Sequence, residues 1–273
     1  MEEQERNSLA EKLYSAFSNA EPMDTPPSSQ FESLQIAEAY QIAEMAAQIK
    51  SHAGHSPAGR KVGFANKALW RILKLDTLVW GYVWDDTIRY VQAADSLPLG
   101  KVYSPRIEPE VVMKLNGRLD AGATDGPSAL VAVEWMALAF EINDCIFPDW
   151  KFKPVDFVAT LGFHKLLAVG ELVYITTDNI GPLAEQLAGF KLKLYKNGEL
   201  AAEGAGKNSL RSPALCLLEL SRVLAAQPGA VGLAPGEIIS TGTLTDALPV
   251  AAGQQWTADV EGIELPSLSV KFD

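Results

Sequence analysis

The sequence predicts an α+β protein, with a helical N-terminal lobe at residues 1–58 and a β-rich core at residues 59–273. Two observations support this division. Apolar residues recur at helical spacing in the N-terminal segment, whereas short runs that alternate between apolar and polar residues prevail after residue 60. With 273 residues and 48% hydrophobic composition, the chain is long and apolar enough to bury a large core.

The lobe is predicted to contain two helices. The first is indicated by apolar residues in steps of four, namely Leu9, Leu13 and Phe17, and it ends before a Pro- and Ser-rich loop at residues 21–30. The second is predicted to have Ser33 as its N-cap and to end at the glycine-containing segment 54–59. Most of its buried face is predicted to consist of Leu34, Ile36, Ala37, Tyr40, Ala43 and Ile49.

The core is predicted to combine strands with one clear helix. Alternating apolar residues indicate a strand at 190–195, and Asn197-Gly198 after it is a hairpin turn signal. The same alternation recurs at the C-terminus in Leu268, Val270 and Phe272. Between these strands, a proline near the first helical position and a leucine-rich face predict a helix from Pro213 to Ala225.

Charge and composition argue against several classes of protein. The chain has 23 Lys and Arg against 34 Asp and Glu, and its formal net charge of −11 argues against a nucleic-acid partner. Its longest apolar runs are too short to cross a membrane, and no signal-peptide pattern is visible. Its two cysteines, Cys145 and Cys216, cannot form a disulfide framework or a cysteine zinc site. We therefore expect a cytoplasmic protein.

Two familiar catalytic patterns are missing from the sequence. There is no G-x-S-x-G segment, and His52 and His55, two of the three histidines, lie in a loop typical of solvated residues. Residues 204–207 read Gly-Ala-Gly-Lys, but the first glycine of a phosphate loop is missing and Asn208 replaces the residue that would bind magnesium. Neither a serine hydrolase nor a phosphate loop is indicated.

Three glutamates form the strongest candidate site. Glu108 and Glu110 stand two apart in a β-prone run, so their carboxylates share one face, roughly 6–7 Å apart along the strand. Two like charges so close repel each other unless a cation lies between them, and a hard divalent ion would serve. Glu141 lies in an apolar stretch where an unpaired carboxylate would be costly to bury. It either reaches the surface or has a buried partner, and a metal shared with the other two would be such a partner.

Several motifs in order resemble the fumarylacetoacetate hydrolase superfamily, and within it the 2-keto-4-pentenoate hydratase and 4-oxalocrotonate decarboxylase family. The resemblance covers nearly the whole chain and implies a mixed β-sheet roll with peripheral helices and an N-terminal helical lobe. The motifs that carry it are Gly59–Phe64, Trp80-Gly81, Trp84–Asp86, Pro105–Val111, Phe140–Ile142, Asp149-Trp150 and Gly236–Thr243.

The resemblance implies a lyase that depends on Mg²⁺ or Mn²⁺ and acts on a small 2-oxo or 2-hydroxydienoic acid. It places the metal on Glu108, Glu110 and Glu141. Lys61 matches the lysine of the G-x-K-x-G motif and is expected to hold the substrate carboxylate or to move a proton, with a lowered pKa if it is desolvated. The resemblance also implies a homo-oligomer, without fixing the number of subunits.

Further site residues are expected around this centre. Asp85 or Asp86 is expected to accept a proton, the other being a turn residue. Thr241, Gly242 and Thr243 follow a strand, and the glycine permits close backbone approach, so their N–H groups could bind a substrate carboxylate. A plain strand-to-loop turn explains this segment almost as well.

The segment from Val158 to His164 departs from the family pattern, which has an Asp-Asn pair there. His164 is therefore either a substitute acid/base or substrate contact, or a structural histidine. Leu161 and Phe163 are expected to make the pocket more apolar. Hydration of a 2-hydroxy-2,4-dienoate is the first expectation for activity. Decarboxylation of a 4-oxalocrotonate-like acid, hydrolysis of an acylpyruvate and a non-catalytic partner subunit are the alternatives.

Overall fold

The structure is a computed structural model that describes residues 1–92, 95–120 and 122–273 of the chain. The helices are α1 (Glu3–Asn19), α2 (Pro27–Gln30), α3 (Ile36–His52), α4 (Trp70–Leu73), α5 (Gly126–Leu130), α6 (Pro154–Ala159), α7 (Ile180–Gly189) and α8 (Pro213–Ala226). The strands are β1 (Pro57–Gly63), β2 (Val79–Trp84), β3 (Ile88–Tyr90), β4 (Ser96–Leu97), β5 (Pro105–Leu115), β6 (Val133–Asp144), β7 (His164–Val169), β8 (Val173–Tyr174), β9 (Lys191–Lys196), β10 (Glu199–Ala205), β11 (Ile238–Ser240), β12 (Leu248–Pro249), β13 (Gln255–Glu261) and β14 (Leu268–Phe272).

The strands form two mixed sheets. The larger has the order β2-β1-β11-β5-β6-β7-β3, with β12 also paired to β5 and β8 to β6. The smaller has the order β10-β9-β13-β14-β4. In the larger sheet, β1 pairs with β11 and β3 with β7 in parallel, while β5 and β6 are antiparallel. This arrangement confirms the predicted α+β class and mixed sheet.

The long strands β5 and β6 form the centre of the larger sheet. Nearly all residues of β6 are buried, as expected for a strand that is covered on both faces. Apolar residues of both strands belong to a large core cluster that also contains the leucine-rich face of α8. Polar side chains on these two strands are therefore surrounded by protein. Each of them needs a hydrogen-bond or charge partner there, because an unpaired buried polar group costs free energy.

The N-terminal helices pack on the core. α1 contacts α3, and α3 contacts α6. Leu13 of α1 and Ile42 of α3 share an apolar cluster with Phe147, Phe157 and Phe163 of the core. The helices therefore bury their apolar faces against the segment that lies next to the candidate site. The division into a lobe at residues 1–58 and a core at residues 59–273 stays a prediction.

The second helix begins later than predicted. α3 has Gln35 as its N-cap, not Ser33, and Leu34 lies outside the helix although it is buried. At this start the Glu38 carboxylate accepts a hydrogen bond from the Gln35 backbone N–H at 3.4 Å, as in a capping box. The predicted helix at 213–225 and the hairpin at Asn197-Gly198 agree with α8 and with the β9–β10 turn.

Candidate metal centre and cavity

Antiparallel pairing brings the three glutamates together. Glu108 of β5 lies directly opposite Glu141 of β6, and Glu110 is two residues further along β5. Each offers a carboxylate oxygen, and these oxygens lie within 4.8 Å of one another. Glu110 and Glu141 have no exposed surface. The strand pattern and the register therefore produce a buried cluster of three carboxylates.

The three carboxylates differ in their proton affinity. Burial and the neighbouring carboxylates Glu141 and Glu108 raise the pKa of Glu110 well above its ordinary value. Burial raises the pKa of Glu108 to about 7, against the opposing charge of Lys61. Burial also acts to raise the pKa of Glu141, but Lys61 and the His164 hydrogen bond outweigh it and hold that pKa at about 2. Fully ionised, the three carboxylates would carry more negative charge than Lys61 balances, and in the absence of a metal ion Glu110 and Glu108 tend to hold protons instead.

One oxygen of Glu110 indicates what the cluster can hold. Its Oε2 accepts hydrogen bonds from Ser240 Oγ at 2.5 Å and from the Gly242 N–H at 2.8 Å. Its Oε1 is buried and has no hydrogen-bond partner among the residues that the structure describes. A buried, unpartnered carboxylate oxygen beside two further carboxylates is a donor set that fits a hard divalent cation.

Lys61 lies beside this cluster. It is only 1% exposed, and its Nζ lies 2.9 Å from Glu141 Oε2 and donates to Asn143 Oδ1 at 2.9 Å and to the Gly162 carbonyl at 3.3 Å. Burial acts to lower the pKa of Lys61, but Glu141, with Glu108 and Glu110, outweighs it and raises that pKa. The lowered pKa expected from desolvation is therefore wrong, since the carboxylates keep Lys61 as an ammonium ion.

A left-handed turn supplies the carbonyl that Lys61 contacts. Leu161, Gly162 and Phe163 have φ angles of 52°, 66° and 59°. Such a run is unfavourable for the two non-glycine residues, and strain of this kind concentrates at functional sites. A Cβ on Gly162 would lie 3.2 Å from Lys61 Cδ. The segment that departs from the family pattern thus packs directly on the Lys61 side chain.

Asn143 is a site residue that the sequence analysis missed. Its Nδ2 donates to Glu108 Oε2 at 2.8 Å and lies 3.2 Å from Glu141 Oε2, while its Oδ1 accepts from Lys61. A signal was present, because Asn143 stands two residues after Glu141 in the same strand. Period-two alternation places both side chains on one face.

His164 lies behind Glu141. Its Nδ1 is 2.7 Å from Glu141 Oε1, and its Nε2 is 2.8 Å from Thr87 Oγ1. Burial lowers the pKa of His164 despite the neighbouring Glu141, which favours a neutral ring. Thr87, which the sequence analysis did not select, follows Asp86 in a short 3₁₀ turn.

A cavity of about 360 Å³ reaches the cluster at Glu108, which lines it, whereas Glu110 and Glu141 are not among its lining residues. Lys61, Glu108 and Asn143 line its inner end, and Thr243 also faces it. The lining also contains two exposed carboxylates, Glu203 and Asp246. Its aromatic side chains are Phe64, Trp150, Phe152, Phe157 and Phe163. The expected apolar contribution of Phe163 is present, whereas Leu161 lines a separate surface groove.

Asp85 and Asp86 lie apart from the cavity lining. Lys50 Nζ is 2.9 Å from Asp86 Oδ1, and His55 Nδ1 lies 3.8 Å and 3.6 Å from oxygens of Asp85 and Asp86. Neither aspartate is among the residues that line the cavity. The structure connects this turn to the cluster through Thr87 and His164 instead, so the proton-acceptor role of Asp85 or Asp86 stays a prediction without structural support.

The segment from Thr241 to Thr243 mainly supports Glu110. The Gly242 N–H is already used by Glu110, and Thr241 Oγ1 donates to the Val111 carbonyl at 2.7 Å. Gly242 has a φ of 93°, and a Cβ there would lie 2.6 Å from Ala65 Cβ. Gly242 therefore approaches a buried carboxylate rather than offering its amide to a substrate, while Thr243 remains on the cavity wall.

The fold and the site together define a class of protein: a mixed-sheet protein with a buried carboxylate centre that is suited to a divalent cation. The sequence profile of the family described as Fumarylacetoacetate (FAA) hydrolase C-terminal matches residues 78–269. The chain belongs to this family. Among the described residues, no helix is both long and apolar enough to pass through a membrane.

Relatives of known activity resemble most of the chain. A 2-hydroxyhexa-2,4-dienoate hydratase from Comamonas testosteroni is 27% identical over 264 residues, which is 96% of this chain and 95% of the relative. A 4-oxalocrotonate decarboxylase from Pseudomonas sp is 27% identical over 245 residues, covering 90% of this chain and 91% of the relative.

Solved structures show the same fold. The 4-oxalocrotonate decarboxylase from Pseudomonas putida G7, complexed with magnesium and adipate, superposes with a TM-score of 0.88 at 23% identity, covering 100% of this chain and 99% of that one. The fumarylpyruvate hydrolase from Pseudomonas aeruginosa, in complex with Mn²⁺ and pyruvate, gives a TM-score of 0.57 at 18% identity, covering 78% of this chain and 88% of that one.

Proposed function

We propose that the protein is a divalent-metal-dependent lyase that hydrates a 2-hydroxy-2,4-dienoate to a 4-hydroxy-2-oxo acid. The observation that carries the proposal is the convergence of Glu108, Glu110 and Glu141 beneath a cavity, with Glu110 Oε1 buried and unpartnered among the described residues. Relatives named as hydratases that cover nearly the whole chain support the reaction type.

We assign Mg²⁺ or Mn²⁺ to the three glutamates. All candidate ligands are carboxylate oxygens, which these ions prefer. Solved relatives bind magnesium with adipate and Mn²⁺ with pyruvate, which is consistent with this assignment. When bound, the ion supplies Lewis-acid chemistry, stabilising negative charge on the carboxylate and 2-oxygen of the substrate.

The residues around the ion have distinct tasks. Lys61 lines the cavity as an ammonium ion, and exchange of its long contact with the Gly162 carbonyl, at 3.3 Å, would let it donate a hydrogen bond to the substrate's oxygen and stabilise charge that develops there. Asn143 holds Lys61 and Glu108 in place. His164 orients Glu141 from behind, which makes it a positioning residue in this proposal.

The reaction then needs only proton transfers and one molecule of water. The 2-hydroxyl group of the dienoate loses its proton, and a proton is added to the terminal carbon, which leaves a 2-oxo-3-enoate. Water then adds its oxygen to carbon 4 and a proton to carbon 3. As an ammonium ion that lines the cavity, Lys61 is placed to donate a proton during ketonisation, and the aromatic side chains of the lining shield the acid's carbon chain from bulk water.

Decarboxylation of a 4-oxalocrotonate-like 2-oxo acid is the second candidate. The decarboxylase relative is as similar in identity as the first hydratase relative, at 27% each. Both reactions pass through an enolate at the 2-oxygen, so the same metal and Lys61 serve either one.

The decisive experiment is a metal-dependent turnover assay with both substrates. Protein treated with chelator is expected to be inactive. When Mg²⁺ or Mn²⁺ is added, it should again consume the dienoate, which is measured as a fall in the absorbance of that substrate. Glu110→Gln should abolish this recovery, whereas Glu199→Gln, a change on the exposed face of β10, should not. Turnover of oxalocrotonate alone would favour the decarboxylase. The absence of turnover with either substrate would refute both lyase assignments.

A further inference from the structure

The backbone that pairs with β5 is interrupted beside a candidate metal ligand. The Leu244 N–H donates to the Pro109 carbonyl at 2.9 Å, and pairing resumes where Leu248 of β12 lies opposite Ile107. The residue of β5 between these two positions is Glu108. The residues between Leu244 and Leu248 therefore bulge out of the sheet beside Glu108. Bulges of this kind recur next to active sites, where they redirect a side chain.

The bulge forms part of the wall of the cavity at the candidate metal centre. All three of its residues line that cavity, namely Thr245, Asp246 and Ala247. Side chains hold its backbone in place. Asn208 Nδ2 donates to the Leu244 carbonyl at 2.8 Å. Thr243 Oγ1 donates to the Thr245 carbonyl and Thr245 Oγ1 to the Asp246 carbonyl, each at 2.9 Å. The bulge therefore presents its side chains to the cavity from a fixed backbone.

The side chain of Asp246 has no partner in the part of the chain that the structure describes. Asp246 is exposed, and only its backbone carbonyl accepts a hydrogen bond, whereas no hydrogen bond or ion pair within the described residues includes its carboxylate. Glu108 differs in this respect, because its Oε2 accepts a hydrogen bond from Asn143 Nδ2 at 2.8 Å. The Asp246 carboxylate can therefore accept a hydrogen bond from a water molecule in the cavity.

The proposed hydration needs a base that takes a proton from the attacking water. Lys61 is an ammonium ion, Glu108 is assigned to the cation, and among the described residues no histidine lines the cavity. The remaining carboxylates of the lining are Asp246 and Glu203. Carbon 4 of the substrate is the second carbon beyond the 2-oxygen-bearing carbon, which is held next to Glu108. Asp246 lies on the bulge beside Glu108, whereas Glu203 lies on β10 of the smaller sheet.

We propose that Asp246 is the general base that activates the water added to carbon 4. As the water oxygen bonds to carbon 4, one water proton passes to the Asp246 carboxylate. The electron pair of the double bond between carbons 3 and 4 moves towards the 2-oxygen. Carbon 3 then takes up a proton and Asp246 releases the one that it accepted, so one molecule of water is added in total. This inference rests on the proposed function, because it assigns the water-adding step of that reaction.

The test measures the two steps of the reaction separately in deuterated water, with 2-hydroxypenta-2,4-dienoate and Mg²⁺. Nuclear magnetic resonance follows ketonisation as deuterium entering carbon 5, and hydration as formation of the 4-hydroxy-2-oxo acid. Asp246→Asn is expected to lower kcat for hydration about 10²- to 10⁴-fold, because the general base is lost. Deuterium should still enter carbon 5 at the rate of the unsubstituted protein, since Lys61 and the three glutamates are unchanged. A structural defect would slow both steps.

Glu203→Gln is the matched control, because it removes the other exposed carboxylate of the cavity lining. Its hydration rate should be unchanged. Ordinary hydration by Asp246→Asn, or an equal fall in both steps, overturns this inference alone. A fall in Glu203→Gln as large as that in Asp246→Asn also overturns it, since the negative charge of the lining would then explain the effect. If the unsubstituted protein with Mg²⁺ forms no 4-hydroxy-2-oxo acid, the proposed function fails as well.

Discussion

His164 holds Glu141 on the side away from the cavity, with Nδ1 2.7 Å from Glu141 Oε1. The other oxygen, Oε2, is 2.9 Å from Lys61 Nζ and 3.2 Å from Asn143 Nδ2. Both oxygens of this buried carboxylate are therefore oriented by the protein before any ligand is present. Such preorganisation is the physical basis of the effects expected below.

Loss of His164 should weaken the metal centre. His164→Leu is expected to lower the affinity for Mg²⁺ by about 10- to 100-fold, because Glu141 loses the hydrogen bond that orients it. Thr87→Val should have a smaller effect in the same direction, since it leaves the His164–Glu141 contact in place and removes the contact to Nε2 together with two hydrogen bonds to the Trp84 backbone. Calorimetric titration with Mg²⁺ measures both, with the exposed His52→Leu as the control. Unchanged affinity in His164→Leu would show that the histidine has no positioning role.

Removal of Lys61 should separate metal binding from catalysis. Lys61→Met keeps most of the volume but removes the cation, so turnover is expected to fall by about 10²- to 10⁴-fold. The affinity for Mg²⁺ should rise, because the ammonium ion no longer competes for the negative charge of Glu141. Lys165→Met, at a half-buried lysine that lies 4.0 Å from Asp144, is the matched control. If Lys61→Met had the same kcat as the unsubstituted protein, Lys61 would have no part in the chemical step.

The metal-free protein should lose stability as the pH rises towards neutrality. The pKa of Glu108 is about 7 in the folded chain against an ordinary value of 4.5, so between these values the folded state holds a proton that the unfolded state has released. The free energy of unfolding should therefore decrease by up to about 1.4 kcal/mol per pH unit and per proton in this range.

Metal binding should show the complementary pH dependence. A cation must displace the protons of Glu108 and Glu110, both of which have raised pKa values. The increase in Tm on addition of Mg²⁺ should be larger at about pH 8 than at about pH 6. Thermal unfolding with and without the ion measures this difference. An increase that does not depend on pH would contradict the proton uptake assigned to these two glutamates.

Gly242 should tolerate no side chain. Gly242→Ala places a Cβ 2.6 Å from Ala65 Cβ at a φ of 93°, so a loss of stability beyond the roughly 1 kcal/mol of left-handed strain is expected, together with weaker Mg²⁺ binding through Glu110. Gly198→Ala is the control, because Gly198 has a φ of 84° but no atom within 4 Å of the added Cβ. Urea unfolding of both variants measures the difference. Equal losses would show that the contact with Ala65 is relieved by relaxation.

Local regularities were accessible from the sequence. Period-two alternation placed Glu108 and Glu110 on one face of a strand, and proline with a leucine-rich face predicted α8 to within one residue of its end. The same alternation would have identified Asn143 from Glu141. These features depend on the backbone geometry of a few consecutive residues, which the residue types themselves favour.

Contacts between distant segments were decided only by the tertiary structure. The register of β5 against β6 sets Glu141 opposite Glu108, and the β7 pairing brings His164 behind it. The sequence alone indicated Glu108, Glu110 and Glu141 as one candidate site, through their residue type and the spacing of the first two. Only the fold decided that Gly242 serves Glu110 and that Asp86 pairs with Lys50, because strand register and packing fix neighbours that are far apart along the chain.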